Sequence, residues 1–233
     1  MKHVPRFHVA ASLSRALKVE LDVPQMHHAT VVLRLTEGDL LRVFNEKCGE
    51  WECRILDVKR RIVECVNLLR EAKPEKGPII ACSLIKPDRF AMMLEKVTEL
   101  GISKVIPLIT SHTQYKIFNR RKTLETAKHA AEQSRRLSVP IVDNVTKIED
   151  LLNNFNYNGK LLVGNERLNG NRLNDLLEEK CVFLVGPEGG FSDSEQDLLG
   201  KYDFVRNCRL GPNILRSETA AIVFASMWMG KFS

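Results

Sequence analysis

Two stretches near the C-terminal end of the chain carry residue types that could do chemistry. In residues 185–195, VGPEGGFSDSE, the run Gly186-Pro187-Glu188-Gly189-Gly190 directly follows the apolar segment CVFLV. In residues 209–221, RLGPNILRSETAA, Leu210 and Gly211 close a second strand-like run and lead through Ile214, Leu215, Arg216 and Glu218 to small alanines. Glycine without a Cβ lets a ligand approach the main chain closely, and in open α/β sheets ligands sit beyond the carboxyl ends of the strands. Two such loops after consecutive strands therefore predict one cleft, with a plain pair of strand-to-helix turns as the alternative. The cleft does not read as a nucleotide triphosphate site, since a Walker loop needs Lys and then Ser or Thr after its last glycine and Phe191 stands there. It does not read as a dinucleotide fold either, because G-x-G-x-x-G is absent and the glycines follow a late strand.

The remaining composition narrows the class. At 233 residues with 44% hydrophobic residues, the chain can bury one sizeable core or two unequal ones. Residues 1–7, MKHVPRF, lack an apolar signal segment, and the longest apolar stretch, 220–229, is too short to span a bilayer. The expectation is a soluble, cytoplasmic protein. Six cysteines form no C-x-x-C pair and read as small apolar fillers. His27-His28 has no further His or Cys three or four positions away, so no metal is expected. A net charge of +6, with basic clusters at 59–61, 120–122 and Arg135-Arg136, suits contact with the backbone of a folded nucleic acid.

Stepping from these residues to the elements that must hold them, the chain divides at 71–78, EAKPEKGP, a charged stretch with two prolines and no apolar periodicity. Before it, LLRVF, WECRILDV and RIVECVNLL read as short strands, with one helix over about 25–33. After it, IIACSLI, KVIPLI, KLLVG, CVFLVG and FVRNCRLG alternate with helical patterns. Asp88 is expected to cap a helix ended by Gly101, a long amphipathic helix to run over 121–137, and a polar one over 172–179. Ser192 and Glu195 form a capping box, and a last helix starts near Ser217. The fold class predicted is α/β: a mostly parallel sheet covered on both faces, behind a small β-rich domain.

The two glycine motifs resemble the C-terminal motifs of the trefoil-knot (SPOUT) RNA methyltransferases, most closely the RsmE family that methylates N3 of a uridine in 16S ribosomal RNA. The resemblance extends through KPDRFAMMLEKVTELGISKVIPL and AAEQSRRLSVP, and VPRF with HHATVVLRLTEGD is similar to the family's PUA-like RNA-binding domain. It implies domains at 1–72 and 73–233, a knotted C-terminal sheet, a homodimer and S-adenosylmethionine (SAM) as cofactor. It implies that Gly186, Pro187, Glu188, Gly189, Gly190, Leu210, Gly211, Ile214 and Leu215 hold SAM, largely by main chain, with Ile214 and Leu215 walling the adenine. It places Arg216 and Glu218 at the chemistry, with Arg6, Arg34, Arg135 and Arg136 on 16S rRNA in the assembled 30S subunit. The chain departs from the family's usual pattern at Asn213, where an Arg is common, and at Ser111-His112, where Glu-Arg is common. It departs again in 135–138, where the family often has Gly-Arg-x-Arg and Arg135 replaces the glycine. Alternatives within reach of the same residues are a knotted methyltransferase of ribose 2'-OH or transfer RNA, and a ribosome-assembly protein that keeps the fold without catalysis.

Overall fold

The computed structural model describes residues 4–73, 75–164 and 170–232; Met1 to His3 of the opening segment and Pro74 of the linker lie outside them. The chain separates into two compact units. One takes in the chain up to Glu75 together with Ala131–Val139, and the other takes in Lys76–Ala130 and the chain from Pro140.

The first unit is a curled five-stranded sheet: β1 (Arg6–His8), β2 (Lys18–Glu20), β3 (Leu40–Asn45), β4 (Gly49–Asp57) and β5 (Ile62–Arg70), in the order β1-β3-β4-β5-β2. Alternation along β3 to β5 turns Leu41, Val43, Cys53, Ile55, Val63 and Cys65 inward, giving one apolar core with Leu21, Met26 and Ala29. The β3–β4 turn is fixed by Asn45, whose Oδ1 accepts from the N–H groups of Lys47 and Cys48. Gly49 has φ +78°, and a Cβ there would lie 2.1 Å from the Arg70 carbonyl oxygen, so no other residue fits. The expected helix is present as α1 (Val23–His27) continued by a π-type turn over His28–Val32, started by an Asp22–Gln25 capping box. The three-residue strands β1 and β2 escape a reading by periodicity because they are shorter than one alternation cycle can mark.

The second unit is a parallel sheet of eight strands: β6 (Ile79–Ser83), β7 (Lys104–Ile109), β8 (Ile141–Val142), β9 (Thr146–Lys147), β10 (Lys160–Gly164), β11 (Asn171–Arg172), β12 (Cys181–Val185) and β13 (Val205–Arg209). Their order is β11-β13-β10-β12-β6-β7-β8, with β9 also on β7. Helices α2 (Pro87–Glu99) and α7 (Ser217–Phe232) pack together against one face; α4 (Ile148–Asn153) and α6 (Asp193–Leu199) pack together against the other. Strands covered on both faces are apolar throughout, and all five residues of β12 are buried. Phe183 of β12 stacks on Phe224 of α7 with ring centroids 4.4 Å apart, while its neighbours Val182 and Leu184 join the core under α4 and α6.

Three boundaries differ from expectation, each for a local reason. Helix α2 starts from Lys86 with no side-chain cap, because the lysine ammonium has no acceptor to offer the first N–H groups; Pro87 suits the first turn, where its missing N–H costs nothing, and Asp88 is a first-turn acid, not the cap. Helix α3 (Arg120–Gln133) stops short of 137 because Arg135 takes φ +60°, the left-handed turn that ends helices. Of the helix expected over 172–179 only α5 (Leu173–Leu176) forms, one turn that ends at an extended Leu177. The pairing of β8 and β9 and the short α4 lay in 141–153, where no element was expected.

Candidate active site

The two glycine loops leave the carboxyl ends of β12 and β13, strands that flank β10 on either side. Between them lies a cavity of about 290 Å³ whose wall includes Gly186, Pro187, Gly190, Leu210, Ile214 and Leu215, with Asn213 beside them and Val163 and Gly164 from the end of β10. Polar groups at Tyr202, Asp203 and Asn207 also face it, and sequence reasoning missed them because single polar residues near a strand end carry no motif. The cavity wall does not include Glu188, Gly189 or Gly211, which were expected there.

The first loop is held by contacts that its spacing does not reveal. Ser192 and Glu195 form the expected capping box at α6, and the buried Glu195 also accepts from the Ser111 N–H at 2.8 Å, tying this loop to the end of β7. His112 Nδ1–H donates to the Gly189 carbonyl at 2.9 Å, and a Cβ on Gly189 would stand 3.2 Å from His112 Cβ. His112 therefore leaves little room for a side chain at Gly189. Gly190 has φ +67° and needs glycine for its backbone. Gly186 fills a third role, since a Cβ there would meet the Phe191 ring at 3.1 Å. Gly211 faces open space and its neighbours impose no such demand.

The second loop joins the first where Ser217 Oγ donates to the Gly186 carbonyl at 2.6 Å, which fixes the start of α7. On either side of Ser217 stand Arg216, exposed, and Glu218, buried. Glu218 Oε2 has no hydrogen-bond partner, and Oε1 lies 3.7 Å from Arg89 Nη1. Among the described residues Glu218 thus makes no capping hydrogen bond to the first N–H groups of α7. Arg89 itself was missed; it sits in KPDRF, the segment that carried part of the resemblance.

In the first unit the four arginines expected on RNA separate into two pairs. Arg6 and Arg136 are buried: Arg6 donates to Glu50 Oε1 at 2.8 Å and to the carbonyls of Ala131, Glu132 and Arg136, and Arg136 Nε donates to Glu75 Oε2 at 2.9 Å. Their donors are engaged within the protein, so they shape the unit and do not offer themselves to phosphate. Arg34 and Arg135 are exposed, and both take left-handed backbone at φ +57° and +60°. For Arg135 this is a conformation that favours glycine, the residue that the resembled family often has there.

All six cysteines are free thiols. Among the described residues there is no cluster of three or more His, Cys, Asp or Glu that could hold a metal ion, and no helix is long and apolar enough to cross a membrane.

Comparison with known proteins sets the class first. A family described as RNA methyltransferase domain matches residues 73–229, and an RNA methyltransferase PUA domain matches residues 21–66. Ribosomal RNA small subunit methyltransferase E of Rickettsia conorii is 34% identical, over 93% of this chain and 91% of its own, and that of Bacillus subtilis is 31% identical, over 85% and 84%. The structure of a Ribosomal RNA small subunit methyltransferase E from Neisseria gonorrhoeae bound to SAM is similar at a TM-score of 0.86 and 26% identity, covering 99% of this chain and all of that one. A methyltransferase of Legionella pneumophila in complex with SAM gives the same TM-score and identity. The chain belongs to the family of ribosomal RNA small subunit methyltransferase E, with its knotted parallel α/β domain and small PUA-like domain.

Proposed function

We propose that this protein transfers a methyl group from SAM to N3 of a uridine in 16S ribosomal RNA, acting in the cytoplasm as a homodimer on the assembled 30S subunit. The observation that carries the reading is the cavity between the β12 and β13 loops, opening beside Arg216 and Glu218, in a chain with a SAM-bound relative of the same fold. The cavity fits the cofactor: main chain at Gly186, Gly190 and Leu210 offers donors and acceptors for an adenine edge, and Ile214 and Leu215 offer apolar wall for its faces. When bound, SAM supplies an electrophilic methyl carbon on a positive sulfur. The protein must then make N3 a nucleophile, because the N3 proton is too weakly acidic to leave unaided. Arg216 stabilises the charge that grows on a uracil carbonyl, and Glu218 Oε2 takes the proton. N3 uses the freed electron pair to bond the methyl carbon, and the carbon–sulfur pair stays on sulfur. Mass spectrometry of ribosomal RNA from a deletion strain tests the reading: N3-methyluridine should vanish, and its persistence would sink it.

Gly186→Val should weaken SAM binding about tenfold in calorimetry, since the branched side chain must displace Phe191 or intrude on the cavity wall. Unchanged affinity would mean that the loop is only a turn. RNA affinity should fall steeply with salt, and Arg34→Ala and Arg135→Ala should each reduce the slope of log K against log salt by about one. Arg6→Ala should instead lower the melting temperature of the protein, because its donors hold carbonyls and Glu50. A slope untouched by the Arg34 and Arg135 changes would remove both from the interface.

A further inference from the structure

One residue beyond the cavity wall on each loop, three charged side chains from three elements meet. Arg89 Nη1, from α2, lies 3.9 Å from Glu188 Oε1 of the first loop and 3.7 Å from Glu218 Oε1 at the start of α7. Both distances exceed those of a hydrogen bond, so the guanidinium is attracted to both carboxylates and committed to neither. The Glu218 side chain is 6% exposed, whereas those of Arg89 and Glu188 are 36% and 35% exposed, so the cluster opens to solvent at Arg89 and Glu188 and is closed at Glu218. Its closed end holds Glu218 Oε2, a buried acceptor with no donor. Leaving such an oxygen unpaired is costly, and a catalytic role with a donor brought by the substrate is one physical reason to keep it so. Burial, together with the negative charge of Glu188 and Glu218, also pushes the neighbouring Cys82 thiol up, as a site of net negative potential would.

We infer that Arg89 and Glu218 together read the imide edge of the target base, with Arg89 as the residue that positions it and sets the choice of uracil over cytosine. The inference rests on the uridine-N3 reading above. A uracil presents carbonyl, N3–H and carbonyl in line along this edge. An orphan carboxylate oxygen next to a guanidinium with spare N–H groups is the complement of one N–H and one carbonyl. Cytosine presents a lone pair at N3 and an amino group beside it, so it would set acceptor against Glu218 and donor against Arg89. A site built to pair a donor rejects the analogue that lacks it by far more than a missing contact alone, since the buried partner is left unpaired. Arg89 does not line the cofactor cavity, so its loss should spare SAM.

The test uses the full-length protein, SAM, and unmethylated 30S subunits carrying either uridine or cytidine at the target position. Methylation of uridine N3 by the wild type, read by mass spectrometry, is established first; its absence sinks the parent reading and this inference with it. Given that product, Arg89→Ala should lower the single-turnover rate at saturating SAM and 30S by about tenfold, less than the roughly hundredfold lost with a stabiliser of the reacting atoms, as suits a positioning residue. Arg89→Lys should recover part of that loss, and SAM affinity should stay within about twofold in both, as expected where a contact is made outside the cofactor cavity. In binding competition at saturating SAM, read without turnover, cytidine particles should displace uridine particles about tenfold or more less well from the wild type, and this gap should close in the Arg89→Ala, Glu218→Gln double variant. An unchanged rate in Arg89→Ala, or a SAM affinity that falls in step with the rate, overturns the inference. So does discrimination that survives intact in the double variant, which would leave Arg89 as a structural ion-pair partner of α7.

Discussion

Arg216→Ala is expected to lower the methylation rate about a hundredfold or more while leaving SAM affinity nearly unchanged, the usual scale for removing one electrostatic stabiliser from a reacting site. The expectation follows from where the side chain stands. Leu215 before it lies on the cavity wall and Ser217 after it is anchored to Gly186, so the backbone at Arg216 is held on both sides. The guanidinium itself is exposed, and among the described residues no side-chain hydrogen bond or ion pair engages it. A fixed backbone with an uncommitted cation suits a group whose partner arrives with the substrate. Arg216→Lys separates the possible roles, because an ammonium keeps the charge and loses the planar pair of donors. A lysine variant with full single-turnover rate across neutral pH would leave Arg216 as a phosphate contact or a structural residue.

Glu50→Gln should cost about 3 kcal/mol of stability, the scale for breaking a buried ion pair by neutralising one partner. Glu50 is buried in the first unit, where Arg6 Nε donates to one carboxylate oxygen at 2.8 Å and Arg70 Nε to the other at 2.5 Å. Burial alone would raise its carboxyl, but the charges and hydrogen bonds of Arg6 and Arg70 outweigh it and hold the group below the ordinary carboxylate range. A folded value below the unfolded value of 4.5 means that this stabilisation is complete above pH 4.5 and is lost as pH falls through the folded value. Glu75, lowered against its own burial by Ser138, the Leu137 N–H and Arg136, acts in the same sense. Thermal melts from pH 7 down to 3 should show the wild type losing stability below about 4.5, with a shallower loss for Glu50→Gln. Equal stability of the two proteins at pH 7 would show that the Arg6–Glu50–Arg70 cluster contributes nothing net.

How much of this was legible without coordinates depended on the kind of signal. Strands β6, β7, β10 and β12 and helix α2 announced themselves, because burial on both sheet faces and period 3.6 both leave marks in residue type, and α6 was marked by its capping box. The cavity-lining glycines Gly186 and Gly190 were legible because close packing against Phe191 and a positive φ are demands on residue type. The assignments that misplaced residues concern contacts across long sequence separations. Nothing in VPRF says that Arg6 will be spent on carbonyls more than a hundred residues away, and nothing in IPLITSH says that His112 will press on Gly189. The orphan oxygen of Glu218 is likewise a property of its surroundings and has no local spelling.

The grouping of Ala131–Val139 with the first unit bears on the order in which the protein can be made. Synthesis runs from the N-terminus, and a domain whose parts are contiguous can close as soon as it clears the ribosome. Here the carbonyls that Arg6 requires, at Ala131, Glu132 and Arg136, follow most of β6, α2, β7 and α3 in the chain. The N-terminal strands therefore wait, with Glu50 the one hydrogen-bond partner Arg6 already has, until more than half of the polypeptide has emerged. In a nascent chain released at residue 72 the first unit should be sensitive to protease, and in one released past 139 that unit should be protected while the incomplete second unit is still cut.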